Sequence, residues 1–196
     1  MIRNPIHNRI EKFESWQQTT FMACLCERMY PNYYMFCKAT EFADPLAYRR
    51  ILDLVWESLT VKGASINFDN QLEKLEELIP NGDDFDLYGV YPAIDACVAL
   101  SEVLHAQLSG ESWEHAIAVS EVSIATVATL EMTQAGREMT EEELRTLPAV
   151  ESELDVQWEI YRVLLQSEER DIELIKDLRS ELVESKTSNI GVKITQ

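Results

Sequence analysis

The sequence predicts an all-α, single-domain, multi-helix up-and-down bundle of six to eight helices, ending in a short strand-like C-terminal tail. Three observations carry that expectation. Apolar residues recur at spacings of three and four through nearly every segment, the period of a helix with one buried face. Helix start signals punctuate the chain at Asn4-Pro5, Asp44-Pro45 and Thr140 with Glu143. Only six glycines and six prolines interrupt 196 residues, and a 46% hydrophobic composition over that length supports a sizeable core rather than disorder.

Taken in order, Asn4-Pro5 opens a first helix carrying Ile6, Ile10, Phe13, Thr20 and Cys24, which the spacing ends before Pro31. A shorter helical piece, NYYMFCKAT, follows. Asp44 caps a helix with Pro45 at its first position and Tyr48, Leu52, Val55 and Leu59 on one face, ending near Gly63. Asn67 to Ile79 reads as another helix, closed by Pro80-Asn81-Gly82. Residues 91–108 and 113–135 carry so few charges that both are expected at the centre, joined by Ser109-Gly110-Glu111-Ser112 into an antiparallel hairpin. Gly110 suits the exit of the first and Ser112 a cap for the second. Thr140 and Glu143 make a capping box for a brief helix that ends at Pro148.

The last helix is expected to run unbroken over roughly 149–184. Its stripe of Trp158, Tyr161, Leu165, Ile172, Ile175 and Leu182 lies close to a heptad seam, which suggests either packing on the bundle or a homodimer contact. The tail from Asn189 to Gln196 alternates Ile190, Val192 and Ile194 with polar residues, as a strand would.

Charge narrows the function classes. Seventeen basic against 35 acidic residues give a formal charge of −18, which repels nucleic acid and anionic lipid. No run approaches the ~18 uninterrupted apolar residues of a membrane span, and the start lacks a signal-peptide core, so a cytoplasmic location is expected. Cys24, Cys26, Cys37 and Cys97 sit among apolar helical residues and read as reduced structural thiols.

Two constellations can carry chemistry. Glu102 and His105 make Glu-x-x-His, a spacing that puts both on one side of a helix. His115 lies about as far after Gly110 as His105 lies before it, so Glu102, His105 and His115 are expected to meet near one end of the bundle. Such a trio suits zinc or iron; the competing reading, which is preferred, is a core histidine in line with Ile94, Val98 and Leu108, with no metal and no cofactor. Asp95 and Glu102 share a face two turns apart, and with His105 form the expected buried polar cluster. Buried carboxylates need partners; Arg49, Arg50, Arg137 and the hydroxyls of Tyr88 and Tyr91 are the candidates. An internal ion pair is preferred over a pocket with a raised-pKa carboxyl. No glycine-rich phosphate loop, nucleophile elbow, Cys-x-x-Cys or His-Glu-x-x-His is present.

The runs ESWQQTTFMACLCERMYPNY (14–33), RRILDLVWESLTVK (49–62), DDFDLYGVYPAIDACVALSEVLH (83–105), LEMTQAGREMTEEEL (130–144) and SNIGV (188–192) resemble the bacterial YjaG-like family, essentially over the full length. The resemblance implies a soluble all-α bundle, a domain of unknown function, and brings no activity, cofactor or catalytic residue with it. The functional expectation therefore rests on the residues. It is a non-enzymatic protein-interaction module that self-associates, with an unknown protein partner and neither nucleic acid nor membrane as a target. The alternative is a metal-binding or small-ligand-binding bundle, a possible enzyme, built around Asp95, Glu102, His105 and His115.

Overall fold

A computed structural model describes residues 2–194, so the last two residues of the expected tail strand lie outside it. The described residues hold nine α-helices and no strand. They are α1 (His7–Ile10), α2 (Ser15–Thr40), α3 (Pro45–Thr60), α4 (Phe68–Glu76), α5 (Val90–Ser109), α6 (Trp113–Ala135), α7 (Glu141–Arg145), α8 (Pro148–Leu164) and α9 (Ile172–Ser185), with a single 3₁₀ turn at Gly82–Asp84.

The centre of the bundle is α2, not the α5–α6 hairpin. Eighteen of its 26 residues are buried, against ten of 20 in α5, and α3, α5, α6, α8 and α9 all pack on it. The expectation that α5 has almost no solvent-facing side fails. Tyr91 is 55% exposed, and Val98, His105 and Leu108 also face solvent.

Pro31 does not end a helix. It lies buried inside α2, where a missing N–H costs about 3 kcal/mol. Burial of Phe21, Met22, Leu25, Met29, Tyr33 and Phe36 along the same helix outweighs that cost by tertiary packing. The break falls earlier, at residues 11–14. There Gln18 Nε2 donates to the Ile10 and Phe13 carbonyls, both at 3.0 Å, and Gln17 Oε1 accepts from Glu14 N at 2.8 Å. Those bonds close α1 and open α2.

The expected last helix is likewise two helices. Between α8 and α9, Asp171 caps α9 by accepting from the Glu173 and Leu174 amides. Arg170 donates to the Leu59 and Ser58 carbonyls at 2.7 and 2.6 Å, satisfying the open end of α3. Gln17 Nε2 does the same for α8 through the Leu164 and Ser167 carbonyls. Heptad spacing cannot reveal such a break, because bonds to distant helices make it. Tyr161, Ile175 and Leu178 are buried within the bundle, whereas Leu165 at the break is 57% exposed.

Elsewhere the helix signals hold. Asp44 accepts from Leu46 N ahead of Pro45, and Asn67 caps α4. Thr140 and Glu143 form the capping box, and Gly110 ends α5 at φ +76°, a conformation that favours glycine. Ser112 makes no side-chain cap bond. By length and composition α6 is apolar enough to cross a membrane; here it packs against α1, α2, α5 and α8.

Two charged groups are drawn into the core by α2. Glu27, 5% exposed, accepts from Arg49 Nη1, from Arg49 Nη2 at 3.0 Å and from Trp56 Nε1 at 2.9 Å. Arg49 also stacks 5.1 Å over Tyr30. The cysteines are free and buried.

Candidate functional site

Partner numbers on α5 and α6 run in opposite directions: Asp95 meets Thr126, Glu102 meets His115, and His105 lies over His115. The hairpin is therefore antiparallel, as the short linker requires. The trio Glu102, His105 and His115 does meet at its end. His115 Nδ1 and Glu102 Oε2 are 2.6 Å apart, and the two imidazoles stack at 6.3 Å between centroids. The setting differs from the expected core. His105 is exposed, and the Glu102 and His115 side chains are 30% and 25% exposed. Among the described residues no group of three or more His, Cys, Asp or Glu side chains is arranged to hold a metal ion.

None of the expected basic partners reaches Asp95 or Glu102. Arg49 is bound to Glu27 and Asp53, Arg50 to Asp44 and Arg137 to Glu143. Asp95 instead accepts from Thr126 Oγ1 at 2.8 Å. Burial pushes its carboxyl above the usual range, and the Thr126 hydroxyl opposes the shift in part. Tyr88 is also pushed up by burial, while its bond with Thr133 opposes the shift and the nearby Asp95 charge adds to it. Tyr91 is exposed.

The larger polar centre lies elsewhere, between α2, α6, α8 and the tail. Glu153 of α8, 1% exposed, accepts from Arg28 Nη1 at 2.6 Å, Ser123 Oγ at 2.7 Å and Gln157 Nε2 at 2.9 Å. A carboxylate only accepts, so Gln157 must turn its NH₂ to Glu153 and its Oε1 the other way. That oxygen takes Ser120 Oγ at 2.5 Å and Asn4 Nδ2 at 2.9 Å. Ser120 thereby spends its one proton, and His7, 2.8 Å away, donates to it from Nε2. Burial holds the His7 pKa below its ordinary value. A Ser–His pair wired in this sense has no base aimed at the hydroxyl, and Ser120 is fully buried.

The tail closes this centre. Residues 188–192 fold into a tight turn in which Ser188 Oγ accepts from the Ile190 and Val192 amides, with Gly191 at φ +78°. Asn189 Nδ2 donates to Ser123 O and Oγ, both at 3.1 Å, and its Oδ1 accepts from Asn32 Nδ2 at 3.0 Å. The strand-like alternation yields a single isolated bridge, Thr187 with Lys193.

Beside the turn, α6, α8 and α9 part to leave a cleft of about 650 Å³, within the range of ligand sites. Val127, Val156, Ile160, Val163, Leu178 and Leu182 form its apolar walls, and Arg28 lies at its floor. Sequence reasoning missed this region. In the sequence Ser120, Ser123 and Glu153 have no visible partner, and the turn was touched only by the strand-like alternation of Ile190, Val192 and Ile194 and by SNIGV in the family resemblance.

Fold and site thus define an all-α bundle closed by a C-terminal polar turn. Residues 5–193 match the family described as "Protein of unknown function (DUF416)", and the chain belongs to that family. It is 70% identical to the uncharacterized protein YjaG of Salmonella typhimurium and 68% identical to that of Escherichia coli, over 196 residues and the whole of each chain. The crystal structure of a DUF416 family protein from Shewanella baltica superposes with a TM-score of 0.91 at 31% identity, covering 98% of this chain and all of that one.

Proposed function

We propose that the chain is a non-enzymatic protein-interaction module, acting in the cytoplasm, whose docking site is the cleft between α6, α8 and α9. The observation that carries this reading is an open apolar hollow set against a polar centre whose carboxylate and serine hydroxyls already have internal partners. Glu153, Glu27, Ser120 and Ser123 are committed to internal hydrogen bonds, so they are occupied in holding helices together. Burial raises the Cys24, Cys26, Cys37 and Cys97 thiols, which removes them as thiolate nucleophiles near neutral pH.

A photo-reactive amino acid at Ser152, an exposed residue lining the cleft, tests the reading in living cells. A discrete crosslinked protein that disappears when Val156→Asp is added on the same chain supports it. Crosslinking indifferent to Val156→Asp sinks it.

Self-association has separate support. Tyr91, Ile94, Val98, Ser101, His105 and Leu108 follow a three-and-four spacing along α5, with Tyr91, Val98, His105 and Leu108 exposed. Asp95 and Glu102 are the only Asp, Glu, Lys or Arg side chains of that helix. A chain of charge −18 meets another copy most favourably across such a face. Solution mass at micromolar concentration, with Val98→Glu as the disrupting variant, checks it; a wild-type monomer removes it.

A further inference from the structure

We propose that the occupant of the cleft is a basic amphipathic helical segment of a partner protein, an assignment that rests on the docking reading above. The walls supply the apolar half of the argument. Three helices contribute Val127, Val156, Ile160, Val163, Leu178 and Leu182, and the volume accommodates several large apolar side chains but not a folded domain. A helix laying i, i+3, i+4 and i+7 anchors into a groove has that footprint.

Charge supplies the other half. Arg28 at the floor spends its charge on Glu153, so the floor is close to neutral. The remaining charged groups that line the cleft are Glu131, Glu159 and Glu181, one from each of α6, α8 and α9. Glu159 has an exposed partner in Arg162 at 3.3 Å, and Glu131 and Glu181 have no cation within ion-pair distance among the described residues. An apolar groove ringed by carboxylates on a chain of charge −18 favours apolar anchors flanked by Lys or Arg. The same rim disfavours a second copy of this chain there, because a two-fold contact sets each rim against itself.

The test uses the full chain and a synthetic peptide of about 18 residues, with Leu at the i, i+3, i+4 and i+7 positions and Lys elsewhere. A second peptide replaces every Lys by Glu. Fluorescence anisotropy follows binding to the wild type and three variants. One variant neutralises the rim (Glu131→Gln, Glu159→Gln, Glu181→Gln). Another neutralises three exposed glutamates on and just after α4 (Glu73→Gln, Glu76→Gln, Glu77→Gln). The third is Val156→Asp. The expected result is binding of the Leu/Lys peptide that weakens about tenfold with the rim variant, vanishes with Val156→Asp and barely moves with the α4 variant. Equal weakening by the rim and α4 variants shows bulk attraction and overturns the proposal. Tighter binding of the Leu/Glu peptide, still abolished by Val156→Asp, overturns the basic-segment assignment while leaving the docking reading intact. No binding of either peptide overturns the proposal. A wild-type dimer that Val156→Asp converts to monomer puts a second copy in the cleft and also overturns it.

Discussion

Arg28 Nη1 and Glu153 Oε2 lie 2.6 Å apart and join the central helix α2 to α8 directly beneath the C-terminal turn. The Glu153 side chain is fully shielded and that of Arg28 is 12% exposed, so the pair operates in a low-dielectric setting. Its value shows most clearly when one member is lost.

Glu153→Ala strands the guanidinium and also frees Ser123 and Gln157. The expected loss is about 3–5 kcal/mol, measured by urea unfolding. The double variant Arg28→Met, Glu153→Leu recovers a substantial part of that loss. A double variant as unstable as Glu153→Ala would show that hydrogen bonds to Ser123 and Gln157, not the ion pair, carry the effect.

Asn189→Ala removes the bonds to Ser123 and Asn32 while leaving every helix intact. The cost expected from the stranded partners is about 1–3 kcal/mol. Amide hydrogen exchange is expected to speed up across 188–192 before any helix responds. Uniform acceleration through α2 and α6 would contradict a locally docked turn.

Asp95 gives a pH signature. Its folded-state pKa is raised, so its contribution to stability is fully present below the unfolded carboxylate value and is lost as pH rises through the folded value. Asp95→Asn keeps an acceptor for Thr126 and cannot ionise. Thermal melts are therefore expected to show a gain in Tm for the variant at neutral pH that shrinks to nothing below about pH 4. A gain independent of pH would point to packing instead.

Thiol titration reads the core directly. All four cysteines are buried and their pKa values raised, so an aromatic disulfide reagent at neutral pH is expected to label the folded chain slowly. Denaturant should expose all four at once. One fast thiol in the folded protein would mark a breathing segment next to that residue.

What could be seen in the sequence follows the range of the interactions involved. The α5–α6 hairpin was legible because Gly110 and a short linker fix it locally, and counting outward from Gly110 brought His105 and His115 together. Helix α2 was not, since Gln17, Gln18, Glu27 and Asn32 look like surface residues until their partners arrive. Gln17 bonds residues 147 and 150 positions away, and Asn32 bonds Asn189 across 157. Pro31 misled for the same reason, because a local penalty was set against packing that spacing cannot display. The Glu153 centre combines both difficulties. Its acceptor sits one turn from Gln157 on a helix with an otherwise ordinary pattern, and its other two donors, Arg28 and Ser123, come from two distant helices.

The docking of residues 188–192 also bears on when the molecule can finish folding. All nine helices precede this turn in the chain, so a ribosome will have synthesised every one of them before the amides of Asn32 and Asn189 can meet. Until then Ser123, Asn32 and the Arg28 carbonyl face an open seam that water must fill. Until the turn docks, the protein is thus held one step short of its native state, and the cleft it borders lacks its final wall.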